Sequence, residues 1–145
     1  MSILPSLSTS LGVDAPAVRE DKGVVLLVED DRTIVALLSM LLEREGWKVL
    51  AAGEGRKAVD LFASAVGSVQ LAIIDGRLPD MSGEAVCRRL RETQQDLPVL
   101  LCSGMNASES VERVGGLTRF IPKPFSPSQI LHDIRILLQG RSAAI

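Results

Sequence analysis

Short apolar runs and helical periods alternate along the chain from Val24 onward. Runs rich in Leu and β-branched residues begin near Val24, Trp47, Gln70, Pro98 and Arg119, spaced 21 to 28 residues apart. Each interval is long enough for one strand and one crossover helix. The helices follow from spacing and caps. Asp31 can cap a first helix that runs to about Glu45 and is closed by Gly46. Ile34, Leu37, Leu38, Leu41 and Leu42 recur at i, i+3, i+4, i+7 and i+8, which predicts its core face. Ala36 and Met40 then point away from that stripe, with Val35 at its border. A second helix is predicted from about Glu54 to Ala65, ending at Gly67, and a third from Gly83 with Val86 and Leu90 inward. A fourth, from about Asn106 to Val114, is short and poor in apolar residues. A fifth follows Ser126, with Pro127 in its first turn and Ile130, Ile134, Leu137 and Leu138 on its core face.

Continuous apolar strands separated by helices mean a parallel sheet covered on both faces. Right-handed crossovers leave few topologies. Five such units fit an α/β, flavodoxin-like (βα)5 doubly wound sheet of strand order 2-1-3-4-5. Residues 1–22 break the rhythm: they are rich in Ser, Pro and Ala and end in the charged run Arg19 to Lys22. They read as a flexible tail or interdomain linker. Residues 23–139 form the domain, and 140–145 a short C-terminal tail.

Composition narrows the classes. The 145 residues suffice for one domain, and 46% hydrophobic residues suffice for its core. Sixteen basic residues against eighteen acidic ones offer no excess positive charge for nucleic acid. A single His, His132, excludes a His-rich metal site. Cys87 and Cys102 lie in apolar stretches, which suits a reduced cytoplasmic interior. No apolar run approaches the ~20 residues of a membrane helix, and the start lacks a basic signal-peptide region.

In a doubly wound sheet, ligands bind beyond the carboxyl ends of the strands. Glu29, Asp30 and Asp31 follow the first run, Asp75 the third, Ser103 the fourth and Lys123 the fifth. Nothing chemical follows the second, which that strand order places at an edge. Carboxylates from two strand ends repel one another, and a hard divalent cation removes the penalty. Mg2+, or Mn2+, is therefore the expected cofactor, held by Glu29, Asp30 and Asp75. Lys123 adds a point charge and Ser103 a hydroxyl. Such a site suits a phosphoryl group, with Asp75 as nucleophile. Replacing Lys123 is expected to raise apo stability, if anything, by leaving one fewer charge at a crowded site.

VLLVEDD, IIDGRLPDMSG, LLCSG and FIPKPF, in that order, resemble the response-regulator receiver domain of two-component signalling over about residues 23–139. The resemblance implies roles position by position. Asp75 matches the phosphoacceptor and Asp30 the direct Mg2+ ligand, with Glu29 beside it acting through water. The backbone carbonyl of Arg77 matches a third protein oxygen on the metal. Ser103 matches the switch hydroxyl, Lys123 the invariant Lys before a cis peptide bond to Pro124, and Phe120 the aromatic switch residue. Gly76 departs from the family, where a bulkier residue follows the acceptor; it is expected to loosen the loop. Arg77 and Met105 occupy the positions that flank the phosphoryl group, and Arg77 is expected to prolong its life.

The implied partner is a histidine kinase or histidine phosphotransfer protein docked at the first helix, with a homodimer through the fourth and fifth helices as a further pairing. No nucleic-acid or membrane contact is expected. The chain is expected to be a signalling phosphoacceptor rather than an enzyme, apart from self-catalysed phosphorylation and dephosphorylation. No output domain is expected within these residues. SILPSL followed by Ala15-Pro16-Ala17 resembles the linker before the receiver of a hybrid histidine kinase. Two rivals remain: a haloacid-dehalogenase-type phosphatase, which would need an Asp where Arg77 stands, and a phosphorylation-independent interaction module. His132 reads as a surface residue rather than a phosphoacceptor.

Overall fold

The apolar runs become five parallel strands in the order β2-β1-β3-β4-β5. A computed structural model describes residues 21–103 and 114–143. The strands are β1 (Gly23–Val28), β2 (Trp47–Ala52), β3 (Val69–Asp75), β4 (Val99–Ser103) and β5 (Thr118–Pro122). The helices are α1 (Arg32–Arg44), α2 (Gly55–Ser64), α3 (Gly83–Arg91) and α4 (Pro127–Ala143). The expected helix over 106–114 lies, but for Val114, outside the described residues, as do residues 1–20 and Met105. α4 continues past Gln139, where a tail is expected, to Ala143.

Alternation along each strand divides the core in two. Leu26, Val28, Ala72, Ile74, Val99 and Leu101 face α2 and α3, where Ala58, Phe62, Val86 and Leu90 cover them. Val25, Leu27, Leu71, Ile73, Leu100 and Ile121 face α1 and α4, under Leu38, Leu42, Ile130, Ile134 and Leu137. The register aligns Val28 with Ile74, Ile74 with Leu101, and Leu101 with Phe120. The strand ends therefore stop in step and build one rim. Among the described residues, no helix is long and apolar enough to cross a membrane.

Helix starts use the polar residues that the sequence supplies. The Asp31 carboxylate accepts the amides of Thr33 and Ile34 at 2.9 and 3.3 Å. Ser126 and Gln129 form a reciprocal capping box ahead of α4, at 2.8 and 3.2 Å. Gly46, with φ at 103°, turns the chain from α1 into β2. One expectation fails. Leu37 is not on the core face of α1 but 54% exposed, beside Met40 at 56%. The buried stripe runs through Leu38 and Leu42 and takes in Val35 at its edge, so the helix is rotated toward Val35 relative to the expected stripe.

Arg91, at the end of α3, ties two chain segments at the opposite end of the sheet. Its guanidinium donates to the carbonyl of Leu97 (3.1 and 2.8 Å), to Gly115 (2.9 Å), to Leu117 (2.8 Å) and to the Thr118 hydroxyl (2.8 Å). Burial lowers its pKa below the ordinary guanidinium value, yet a guanidinium stays charged in proteins. It is positioned by three main-chain carbonyls on the loops that lead into β4 and β5. The fork geometry makes this a task for Arg alone. Arg91→Lys should lower unfolding stability by about 2–4 kcal/mol, because one ammonium cannot serve both segments. Urea denaturation gives the comparison, and an unchanged midpoint would refute the assignment.

Candidate functional site

The rim gathers Glu29 just past β1, Asp75 at the end of β3, Ser103 at the end of β4 and Lys123 just past β5. One carboxylate oxygen each from Glu29, Asp30 and Asp75 lie within 4.8 Å of one another. Asp30 is exposed, while Glu29 and Asp75 are buried, at 4% and 8%. Lys123 Nζ stands 3.1 Å from Glu29 Oε1 and 3.3 Å from Asp75 Oδ1. Glu29 Oε2 also accepts the Asp31 amide at 3.0 Å, so both of its oxygens are engaged. Asp75 Oδ1 further accepts the Arg77 amide at 3.3 Å.

The electrostatics follow from burial and neighbours. Burial pushes the Glu29 carboxyl up from 4.5; the Asp31 amide and Lys123 oppose this but do not cancel it, and Asp75 adds to it. Burial works against the Lys123 ammonium, but the hydrogen bond and charge of Glu29, with Asp75 behind them, raise its pKa above 10.5. Three carboxylates and one ammonium leave a formal charge of −2 among hard oxygen donors. That set fits one divalent cation such as Mg2+, for which carboxylate oxygens are the preferred ligands.

Residues 25–135 match the family model for the response regulator receiver domain. The chain belongs to that family. It is 38% identical over 134 residues to the response regulator MprA of Mycolicibacterium vanbaalenii, covering 83% of this chain and 56% of that protein. It is 36% identical over 119 residues to a probable transcriptional regulatory protein, TcrX, of Mycobacterium tuberculosis, covering 79% of this chain and 49% of that one. The receiver domain thus spans about half the length of these relatives. Among solved structures, chemotaxis protein CheY4 of Vibrio cholerae superposes with a TM-score of 0.72 at 26% identity, covering 79% of this chain and 98% of that one. The receiver family, the α/β fold and the strand order agree with the sequence reading, and the haloacid-dehalogenase alternative falls away.

The remaining site candidates of this receiver domain are placed as follows. Ser103 closes β4, and its carbonyl accepts the Lys123 amide at 3.0 Å. The Lys123–Pro124 peptide bond is cis. Arg77 follows β3, is exposed, and bridges to Ser82 across the loop. Phe120 is half-buried and packs on the core beneath α2 and α3. His132 is exposed on α4. At Gly76 the structure shows a close approach where a looser loop is expected. A Cβ there would stand 2.8 Å from Ser103 Cβ and 2.9 Å from its Oγ, so any side chain at position 76 would have to displace that of Ser103. Asp80, which the sequence reading passed over, contacts the start of α2 from the loop after β3. An acid following Pro in a turn is too common to single out.

The ion pairs reverse the expectation for Lys123. Without its ammonium, the two buried carboxylates would face each other unbalanced. Its raised pKa means that its contribution to stability is fully present below 10.5 and lost as pH rises through the folded value. Lys123→Gln should therefore lower apo stability at pH 7 by about 1–3 kcal/mol, a buried-pair loss discounted for partial exposure. The gap to wild type should close in alkali above the raised value. Urea midpoints across pH measure it, and equal midpoints at pH 7 would contradict the ion-pair account.

Proposed function

We propose that this receiver domain is a phosphoacceptor that takes a phosphoryl group from a phospho-histidine donor onto Asp75 with Mg2+. The supporting observation is the set of Glu29, Asp30 and Asp75 carboxylates within 4.8 Å, bridged by Lys123. In the transfer, an Asp75 carboxylate oxygen forms a bond to phosphorus as the bond to the donor imidazole nitrogen breaks, and the imidazole keeps the electron pair. The contacts to Lys123 and the Arg77 amide both fall on Oδ1, which makes Oδ2 the attacking oxygen. The bound cation would supply neutralisation of charge on the transferring oxygens. Asp30 and Asp75 would hold it directly, Glu29 through water, and the Arg77 carbonyl would complete the protein ligands. Lys123 stabilises the phosphoryl oxygens, Ser103 binds one of them, and Phe120 follows that movement as the aromatic switch. Arg77 reaches the phosphoryl group from two residues away and prolongs its life.

Incubation with acetyl phosphate and Mg2+, followed by intact-mass spectrometry, tests this reading. Wild type should gain one phosphoryl group, and Asp75→Asn should gain none while keeping its fold, because the swap is nearly isosteric. Equal uptake by the variant would displace Asp75 as acceptor. No uptake by wild type would favour a phosphorylation-independent interaction module.

The donor docks on α1 in this reading. Leu37 and Met40 are more than half exposed, and a groove of about 190 Å³ between α1 and the start of α4 is lined by Leu37, Met40, Leu41, Phe125 and Pro127. Soft apolar side chains on an outer helix face suit the helices of a histidine kinase or phosphotransfer bundle. Such a donor, like the buried free thiols of Cys87 and Cys102, suits the cytoplasm. Met40→Lys should slow transfer from the protein donor roughly tenfold, the cost of one disturbed apolar contact. Transfer from acetyl phosphate should be unaffected, and equal slowing of both would refute the docking site.

A further inference from the structure

The loop between β3 and α3 is anchored at its tip by an unusual helix cap. α2 begins at Gly55, and Glu54, at its N-cap position, makes no capping bond with its side chain. Asp80 supplies the cap from across the molecule. Its Oδ1 accepts the Gly55 amide at 2.7 Å and its Oδ2 the Arg56 amide at 2.9 Å. Both amides belong to the first helical turn, whose N–H groups have no partner within the helix. A carboxylate there also meets the positive end of the helix dipole. The Arg56 and Gly55 amides hold the Asp80 carboxyl below its ordinary value of 3.8, so it is ionised at neutral pH. Next to it, Met81 lies so close over Gly55 that any Cβ on that glycine would collide with the thioether and stand 2.9 Å from Val86 Cγ2.

The loop is also closed on itself. Arg77 bridges to Ser82, the Leu78 amide donates to Met81 at 3.3 Å, and the Gly83 amide donates to Gly76 at 3.0 Å. A loop tied this way moves as a unit. Two charge-assisted bonds at its tip then fix the whole unit against α2. One end of that unit is joined directly to Asp75, and Arg77 lies within it.

We propose that Asp80 is a positioning residue for the acidic site: by capping α2 from the β3–α3 loop, it fixes Gly76–Ser82, and with them the Arg77 carbonyl, relative to Asp75. The claim about the loop stands on the contacts above. Its consequence for the cation rests on the Mg2+-dependent reading of Asp75. A cap that served only α2 would weaken that helix and leave the loop and the cation alone.

Two measurements on the full chain separate these cases, using wild type, Asp80→Ala and Asp80→Asn. The first is amide hydrogen exchange without metal. Asp80→Ala should speed exchange at Gly55 and Arg56, and also at Arg77 and Gly83 inside the loop. The second is titration with Mg2+ alone, followed by amide NMR shifts. Asp80→Ala should weaken Mg2+ binding roughly tenfold, as when a group that orients a metal ligand is removed. Asp80→Asn should fall between, because its amide oxygen can still accept one of the two N–H groups. Faster exchange confined to Gly55 and Arg56, or unchanged Mg2+ affinity in a folded Asp80→Ala, would overturn the proposal. Should Asp80→Ala not fold, Asp80→Asn decides by the same criteria. A wild type that binds no Mg2+ would defeat the phosphoacceptor reading, while the exchange data would still decide whether Asp80 fixes the loop.

Discussion

Three carboxylates held within 4.8 Å set the terms for the rest of this domain. At that spacing and an effective dielectric of about 20, each ionised pair repels by roughly 3–4 kcal/mol. Lys123, in contact with two of the three, offsets much of this but leaves the formal charge at −2. The site is therefore stable enough to form and still short of two positive charges. That imbalance is what makes a divalent cation, rather than a second lysine, the complement of the site. Glu29, buried and bonded through both oxygens, is the fixed counterpart of Lys123 within this set.

The sheet makes this crowding possible. Parallel strands of matched register end together, so polar residues that are 94 positions apart, such as Glu29 and Lys123, meet at one rim. Among the described residues, 27 apolar side chains buried on the two faces oppose the repulsion at the edge. The charges gather where the strands end because there the backbone turns away from the core and side chains can reach water, a ligand or one another. The edge strand β2 ends in Ala51 and Ala52 and contributes no charge, as its distance from β3 and β4 requires.

Much of this was legible in the sequence because it is written in local patterns. Apolar runs of strand length, periods of three and four, and a polar residue after each run each need only a few neighbouring positions to be read. The orientation of α1 was not legible. Five leucines and isoleucines at helical spacing define a stripe wider than the sheet beneath it can cover, and the stripe alone does not say which border is left out; the structure packs Val35 against the edge of the core and exposes Leu37. Arg91 and Asp80 were illegible for another reason. Each binds main-chain groups roughly 25 residues away, and a backbone amide or carbonyl has no letter in the sequence. Gly76 misled because a missing side chain reads as freedom until the neighbour that requires its absence, Ser103, is known.

The charged residues and the backbone contacts around them divide the work at this rim. Asp75, Lys123 and Glu29 determine which charges can be accommodated, and a substitution among them changes the chemistry. Asp80, Gly55 and Gly76 determine where the backbone that carries those charges lies, and a substitution among them changes the geometry with the charges intact. An oxygen-lined cation site is sensitive to both, since Mg2+ tolerates little departure from octahedral geometry. A receiver domain built on repelling carboxylates therefore needs a backbone more tightly held than its sequence of short polar turns suggests. Close approaches at Gly55 and Gly76 and a helix cap supplied across the fold provide that restraint without adding another charge to the cluster.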